Sequence, residues 1–70
     1  MKITYDKIAD ALYVYLSKKK VSRTIPVNSS VMVDLDSKGS LVGIEILNVS
    51  FQISPKELQR TIKSGVLVSV

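Results

Sequence analysis

Three short runs of residues alternate between apolar and other side chains with a period of two, at 11–16, 31–36 and 41–47. A period of two is typical of a β-strand that turns one face to a core and the other to solvent. Turn-forming residues separate the runs, so that neighbouring strands can pair antiparallel. The pattern predicts a small antiparallel sheet, a meander of about five strands, as the main part of an α+β fold.

The link between the second and third runs carries a strong turn signal, because Gly39 can take a positive φ. Pairing Val33 with Ile44 aligns the apolar faces of both strands. The turn chemistry instead favours closure between Asp36 and Ser40, one residue out of that register. We give priority to the apolar pattern, because a one-residue slip would turn the core outward. A β-bulge near Gly39 would reconcile the two signals.

Two further strands complete the predicted sheet. Residues 2–5 form the first strand, and Asp6 begins a tight connection to the second. Residues 21–27 form a strand that lies at an edge or contains a bulge, because Pro26 has no N–H to donate to a neighbour. The sheet is therefore expected over about residues 2–47.

The best-marked element is a helix over about residues 55–64. Ser54 and Glu57 form a capping box, with proline at the first helical position, and Gly65 is a natural residue to end the helix. The apolar tail, residues 66–70, should pair as a strand or pack on a surface. We expect one small domain over residues 1–70.

The predicted core lies on one face of this sheet and is covered by the single helix through Leu58 and Ile62. Its members share the inward positions of the strands: Ile3, Leu12, Val14, Leu16, Val31, Val33, Leu35, Val42, Ile44 and Ile46.

Composition narrows the functional classes. The chain has 70 residues, no cysteine and no histidine. It therefore lacks disulfides, thiolate metal sites, and both the commonest general base and the commonest metal ligand. No apolar run approaches the length of a signal peptide or membrane span. We expect a cytoplasmic, non-membrane protein that has no cofactor and is not an enzyme, with a net charge of +4 that permits acidic partners.

The outward face of the sheet is more apolar than a solvated face requires. Five side chains give it this character: Tyr13, Tyr15, Met32, Leu41 and Leu47. They are either scattered surface hydrophobic residues or a surface for a protein partner, homodimeric or heterologous. The leading hypothesis is a partner surface, to which residues 66–70 can add a strand at another chain's sheet edge.

A second hypothesis is weak binding of nucleic acid. Lys18, Lys19, Lys20 and Arg23 form a basic cluster beside the strand that carries the tyrosines. Tyrosines on a sheet can stack on bases while lysines meet phosphates. The competing interpretation is that lysines at a turn and edge strand discourage aggregation.

The acidic hairpin gives a third, least favoured hypothesis. Asp34, Asp36 and Glu45 match part of a calcium loop, but Lys38 stands where an oxygen ligand belongs and the flanks are strands. The same carboxylates resemble the pair of a hydrolase without a cleft to hold a substrate. We expect neither a metal nor a catalytic residue here.

Two motifs identify a family resemblance. They are Y-D-x-x-A-D-A-L-Y from Tyr5 and V-D-x-D-x-x-G-x-L-V-G-I-E-I-L from Val33. In this order and spacing, they resemble the domain-of-unknown-function 2283 family of small prokaryotic proteins, over about residues 1–50. The resemblance implies a fold and no activity. Some similar proteins are encoded beside small toxin-like proteins, which implies an antitoxin-like or regulatory binding role.

Three of the motif residues also have structural interpretations. Asp6 and Asp10 would cap and close the connection between the first two strands. Gly43 would allow a side chain such as Tyr13 or Tyr15 to lie close against the sheet.

Overall fold

A computed structural model describes the backbone of residues 2–63 and 67–69 and the side chains of residues 2–60. Five strands are followed by two helices and a sixth strand. The elements are β1 (Lys2–Asp6), β2 (Ala11–Tyr15), β3 (Arg23–Pro26), β4 (Val31–Leu35), β5 (Leu41–Leu47), α1 (Val49–Gln52), α2 (Pro55–Lys63) and β6 (Leu67–Ser69). The predicted α+β class is confirmed, while the short helix α1 was not predicted.

All six strands form one sheet in the order β3-β4-β5-β2-β1-β6. The first five strands pair antiparallel, and β5 joins the β3–β4–β5 meander to the β1–β2 hairpin. The strand containing Pro26 lies at an edge, as its missing N–H predicts.

The C-terminal strand occupies the other edge of the sheet, where β6 pairs parallel to β1 of the same chain. The prediction that the tail pairs as a strand is therefore confirmed for residues 67–69. The ladder partners of these residues are Ile3, Thr4 and Tyr5, and the addition of a strand to another chain's sheet stays a prediction. The predicted helix end at Gly65 lies outside the described residues.

The hairpin between β4 and β5 satisfies both of the conflicting sequence signals. Val33 pairs with Ile44, and the register shifts between Asp34 and Leu35, so that Leu35 pairs with Leu41. Beyond the shift, the Asp36 N–H donates to the Ser40 carbonyl at 2.9 Å. The predicted bulge therefore lets the apolar faces align while the turn closes at its preferred residues.

Two aspartates of the first motif organise the connection between β1 and β2. The Asp6 carboxylate accepts the backbone N–H groups of Ile8 and Ala9 at 3.0 and 3.1 Å. Asp10 takes a left-handed conformation, with φ 53°, and its carboxylate accepts the Tyr5 hydroxyl at 2.9 Å. The predicted capping by Asp6 and Asp10 is confirmed.

Helix α1 is tied to this same connection. The Asp10 carboxylate accepts the Ser50 hydroxyl at 2.7 Å and the Ser50 N–H, and the Asp10 carbonyl accepts the Val49 N–H at 3.1 Å. Asn48, with φ 51°, reverses the chain just before the helix. Helix α2 begins as predicted, because the Ser54 hydroxyl accepts the Glu57 N–H at 3.2 Å.

The core is smaller than predicted, because only Leu12 and Val42 of its predicted members are buried and Leu16 is exposed. Tyr5, Leu12, Val49 and Leu58 form its buried centre, and Val49 is fully buried. Partly buried side chains packed against this centre are Ile3, Val14, Ile46 and Ile53. Leu58 therefore packs against Tyr5 and Leu12 on the β1–β2 side of the sheet, as predicted for this residue. The side chain of Ile62 is not among those that the structure describes.

Candidate functional site

The sheet has two faces with different surroundings. We call the side on which α1 and α2 pack the helix face and the opposite side the outer face. Because side chains alternate along each strand, Tyr13 and Tyr15 lie on the outer face while Leu12 and Val14 lie on the helix face. Each face offers one candidate binding surface.

On the outer face, Tyr13 lies across the neighbouring strand. A Cβ built on Gly43 would be 2.6 Å from Cε1 and Cζ of the Tyr13 ring. The Tyr13 hydroxyl donates to Asp34 on β4, and Asp34 also accepts the Thr24 hydroxyl of β3 at 2.6 Å. The prediction that Gly43 allows a tyrosine to approach the sheet is confirmed. These contacts hold the Tyr13 ring in one place across three strands.

The surroundings of Tyr13 favour its neutral form. Burial and then the hydrogen bond to Asp34 raise the pKa of Tyr13 to about 12. The ring is therefore protonated and donating at neutral pH. Tyr15 lies beside it, with ring centroids 4.6 Å apart and ring planes inclined at 55°.

A shallow groove of about 710 Å³ borders this tyrosine pair. We call it the lysine–tyrosine groove. Its walls are formed by Lys2, Tyr13, Tyr15, Leu16, Ser17, Lys18, Lys19, Val21 and Val42. Every charged side chain in this lining is a lysine. Lys2 Nζ lies 5.7 Å from the Tyr15 ring centroid, within range of a cation–π contact.

The five residues predicted to form a partner surface do not all lie together. Tyr13 and Tyr15 are neighbours, whereas Leu41 and Leu47 lie at opposite ends of β5, about 20 Å apart. Met32 is separated from Tyr13 by Glu45, which pairs with both residues. Binding of a partner by these residues stays a prediction.

The predicted basic cluster is also divided. Lys18 and Lys19 line the groove, but Lys20 is not part of its lining. Arg23 lies on β3 opposite Leu35, at the far edge of the sheet. Lys19 Nζ is 3.6 Å from the Asp36 carboxylate, which reduces the free charge of the groove. The structure thus joins part of the proposed nucleic-acid site to the tyrosines of the proposed partner site.

Two carboxylates of the acidic hairpin have structural partners. Asp34 accepts hydroxyls from Tyr13 and Thr24. Asp36 accepts the backbone N–H groups of Lys38 and Ser40 at 2.9 and 2.8 Å. These backbone donors, with that of Ser40 first, lower the pKa of Asp36. Among residues 2–60, no three acidic side chains are grouped as a metal site would require.

The helix face carries a surface that the sequence did not predict to be exposed. Five apolar residues of β3, β4 and β5 lie outside the buried cluster and its packed neighbours: Ile25, Val31, Val33, Leu35 and Ile44. Four of them are half-buried, and Ile25 is 41% exposed. We call these five residues the uncovered face. Their alternation was visible in the sequence, but their place outside the buried cluster was not.

Lys2 is a groove residue that sequence reasoning missed. It pairs with Tyr15 in the β1–β2 ladder, which places it beside the tyrosines. The predicted pairing of the first two strands was the signal that could have identified it.

Neither helix in the described part of the chain has the length and apolar character needed to cross a bilayer.

Comparison with known proteins gives a family and no activity. The family model described as "Protein of unknown function (DUF2283)" matches residues 2–50. The chain is also 42% identical over 50 residues to "Uncharacterized protein MJ0789" of the archaeon Methanocaldococcus jannaschii. That alignment covers 71% of this chain and 42% of the relative, so the chain spans less than half of the relative's length. No solved structure matches the chain.

Proposed function

This chain belongs to the DUF2283 family of proteins of unknown function, and we propose that it is a non-enzymatic protein-binding module that pairs with a second copy of itself. The observation that carries the proposal is the uncovered face. Its five apolar side chains lie on three adjacent strands; Ile25 is exposed, the other four are half-buried, and none of the five belongs to the buried cluster or is among the side chains packed against it. A contiguous exposed apolar patch is typical of a protein interface.

The exposed area of the chain is consistent with a missing partner. A compact monomer of 7.7 kDa exposes about 4,300 Å², whereas this chain exposes 4,999 Å². The difference, about 700 Å², is the surface that this chain exposes beyond a compact monomer of its mass. The Cα radius of gyration is 12.5 Å, against about 11 Å for a compact chain of this length.

The chemistry of the uncovered face suits a second copy. Its five members are aliphatic and uncharged, so two such faces can meet without bringing like charges together. Arg23 shares this side of β3 with Ile25 and provides a charged rim. Elsewhere the chain is basic, with net charge +4, which opposes self-association through its other surfaces.

The non-enzymatic part of the proposal is supported by the roles of the acidic hairpin. Asp34 and Asp36 are committed to hydrogen bonds that hold strands and a turn in place. The chain contains no histidine to act as a general base. Cytoplasmic location, expected from the sequence, belongs to the same proposal.

The test is the mass of the protein in solution, measured by light scattering and sedimentation equilibrium. We expect a dimer of twice 7.7 kDa. Ile25→Lys places a charge on the uncovered face at an exposed position and should yield a folded monomer. Ile8→Lys, at a residue that is 100% exposed in the β1–β2 connection, is the matched control and should remain dimeric.

Either of two results would refute self-association. They are a monomeric wild-type protein, or an Ile25→Lys variant that still forms the dimer. In the first case, an antitoxin-like role through the same face would require a different protein chain, which co-purification from the native host can identify.

A further inference from the structure

We infer that the lysine–tyrosine groove is a binding site for single-stranded nucleic acid. The inference is independent of self-association, because the tyrosines lie on the outer face and none of the five residues of the uncovered face lines the groove. The groove is the surface on which the tyrosines and lysines of the chain lie together, and single-stranded nucleic acid uses both kinds of side chain.

The aromatic part of the site is held in place before any ligand binds. Tyr13 is fixed by Asp34 and by its close approach to Gly43. Tyr15 packs against Tyr13 and remains 46% exposed, so part of its ring is available to a ligand. Unpaired bases stack on such rings, and stacking tolerates different base sequences.

The charged part of the site is placed around those rings. Lys2 lies over Tyr15, while Lys18 and Lys19 come from the loop that follows β2. Neither Lys2 nor Lys18 forms an ion pair with any described side chain, whereas Lys19 is paired with Asp36. Positive charges beside an aromatic surface are the combination that binds the phosphates and bases of a single strand.

The shape of the groove favours a single strand over the alternatives. It is shallow and lies on a sheet, where a duplex would keep its bases stacked away from Tyr15. An acidic peptide would be attracted by the lysines but would not use the aromatic surface. A site with so few phosphate contacts should bind weakly and without sequence preference, in a range of about 10⁻⁴–10⁻⁶ M.

The experiment is fluorescence anisotropy of a labelled oligothymidylate, titrated with the full chain at several salt concentrations. With two to three lysine contacts, the log–log slope against salt should be about −1.4 to −2. Tyr15→Leu should weaken binding by about fivefold or more. Phe51→Leu, which removes an exposed aromatic side chain elsewhere, should leave it unchanged.

A charge-matched pair of variants separates the groove from the overall charge of the chain. Lys2→Gln with Lys18→Gln should lower both the affinity and the salt slope. Lys7→Gln with Lys56→Gln removes the same charge outside the groove and should have a much smaller effect. Circular dichroism of each variant verifies that the fold is retained.

Three outcomes would overturn the inference. The first is an abasic strand that binds as tightly as oligothymidylate, because stacking would then contribute nothing. The second is an equal loss of affinity in both double-lysine variants. The third is displacement of the oligonucleotide by polyglutamate at equal charge concentration, which would make an acidic peptide the better ligand.

Discussion

Tyr13 occupies the space that a side chain at position 43 would need. A Cβ on Gly43 would lie 2.6 Å from two carbons of the Tyr13 ring, closer than real Cβ contacts allow. The absence of a side chain at residue 43 is thus what lets the ring cross β5 and reach Asp34 on β4. This contact links strands from the two halves of the sheet and gives the outer face its rigid aromatic centre.

We expect Gly43→Ala to destabilise the fold by about 1–3 kcal/mol, because the new methyl group forces the Tyr13 ring from its site. Urea denaturation gives the free energy of unfolding. In a Tyr13→Ala background the same substitution should cost little, since nothing then fills the space above residue 43. The double-mutant cycle should therefore show strong coupling between the two positions.

Gly39 provides the control for this cycle. Its φ of 82° requires glycine, but no atom lies within 4 Å of a Cβ built there. Gly39→Ala should therefore destabilise through backbone strain alone, and equally with or without Tyr13. If the effects of Gly43→Ala and Tyr13→Ala on the free energy of unfolding were additive, the Tyr13 ring would not occupy the space above residue 43.

A second prediction concerns the ionisation of Tyr13. Burial and the Asp34 hydrogen bond raise its pKa from 10.0 to about 12. Because the folded-state pKa lies above the unfolded value, the stabilisation is complete below pH 10.0 and is lost as the pH rises toward about 12. Asp34→Asn should lower the pKa of Tyr13, and the remaining burial should keep it above 10.0.

The measurement is an NMR titration of the tyrosine ring carbons. Tyr13→Phe assigns the resonance by removing it. If Asp34→Asn leaves the midpoint of that resonance unchanged, the hydrogen bond does not contribute to the raised pKa.

The sequence was sufficient to predict the contacts between neighbouring strands, because these follow from the alternation of side chains and from turn chemistry. The Val33–Ile44 pair, the bulge and the close approach over Gly43 were all accessible, because each depends on two strands joined by a short turn or lying side by side. In such strands the side-chain period specifies the register.

Two features were not accessible from the sequence, because they depend on contacts between distant segments. Helix α1 has only four residues, and its start is fixed by Asp10, some 40 residues earlier in the chain. No local propensity predicts a helix this short. The packing of Leu58 against Tyr5 and Leu12 has the same origin, since amphipathic spacing shows which side of a helix is buried but not where it lies on the sheet.

A third prediction concerns acid. The Ser50 hydroxyl and the Ser40 N–H are the first causes that lower the pKa values of Asp10 and Asp36, respectively, below 3.8. Since the folded-state values are depressed, the stabilisation is present above 3.8 and is lost as the pH falls through them. Asp36→Asn keeps an acceptor for the turn but removes the charge.

We therefore expect Asp36→Asn to lose less stability than the wild-type protein as the pH is lowered, in urea titrations that start near neutrality. Asp10→Asn should behave similarly and independently, because the two residues lie in different turns. If the stability of a variant falls with pH as steeply as that of the wild-type protein, the carboxylate that it lacks does not contribute to the acid dependence.

The last prediction separates the core from the uncovered face. Val49, the first residue of α1, is fully buried, so Val49→Ala should leave a cavity and cost about 2 kcal/mol. Val33, on the uncovered face, is half-buried and is not part of the buried cluster. If two copies meet there, Val33→Ala should destabilise the dimer, and the urea midpoint of the wild-type protein should rise with protein concentration. Val49→Ala should lower that midpoint at every concentration, whereas Val33→Ala should mainly weaken its dependence on concentration. A wild-type midpoint that is independent of concentration, with a large loss in Val33→Ala, would instead show that Val33 packs within a monomer.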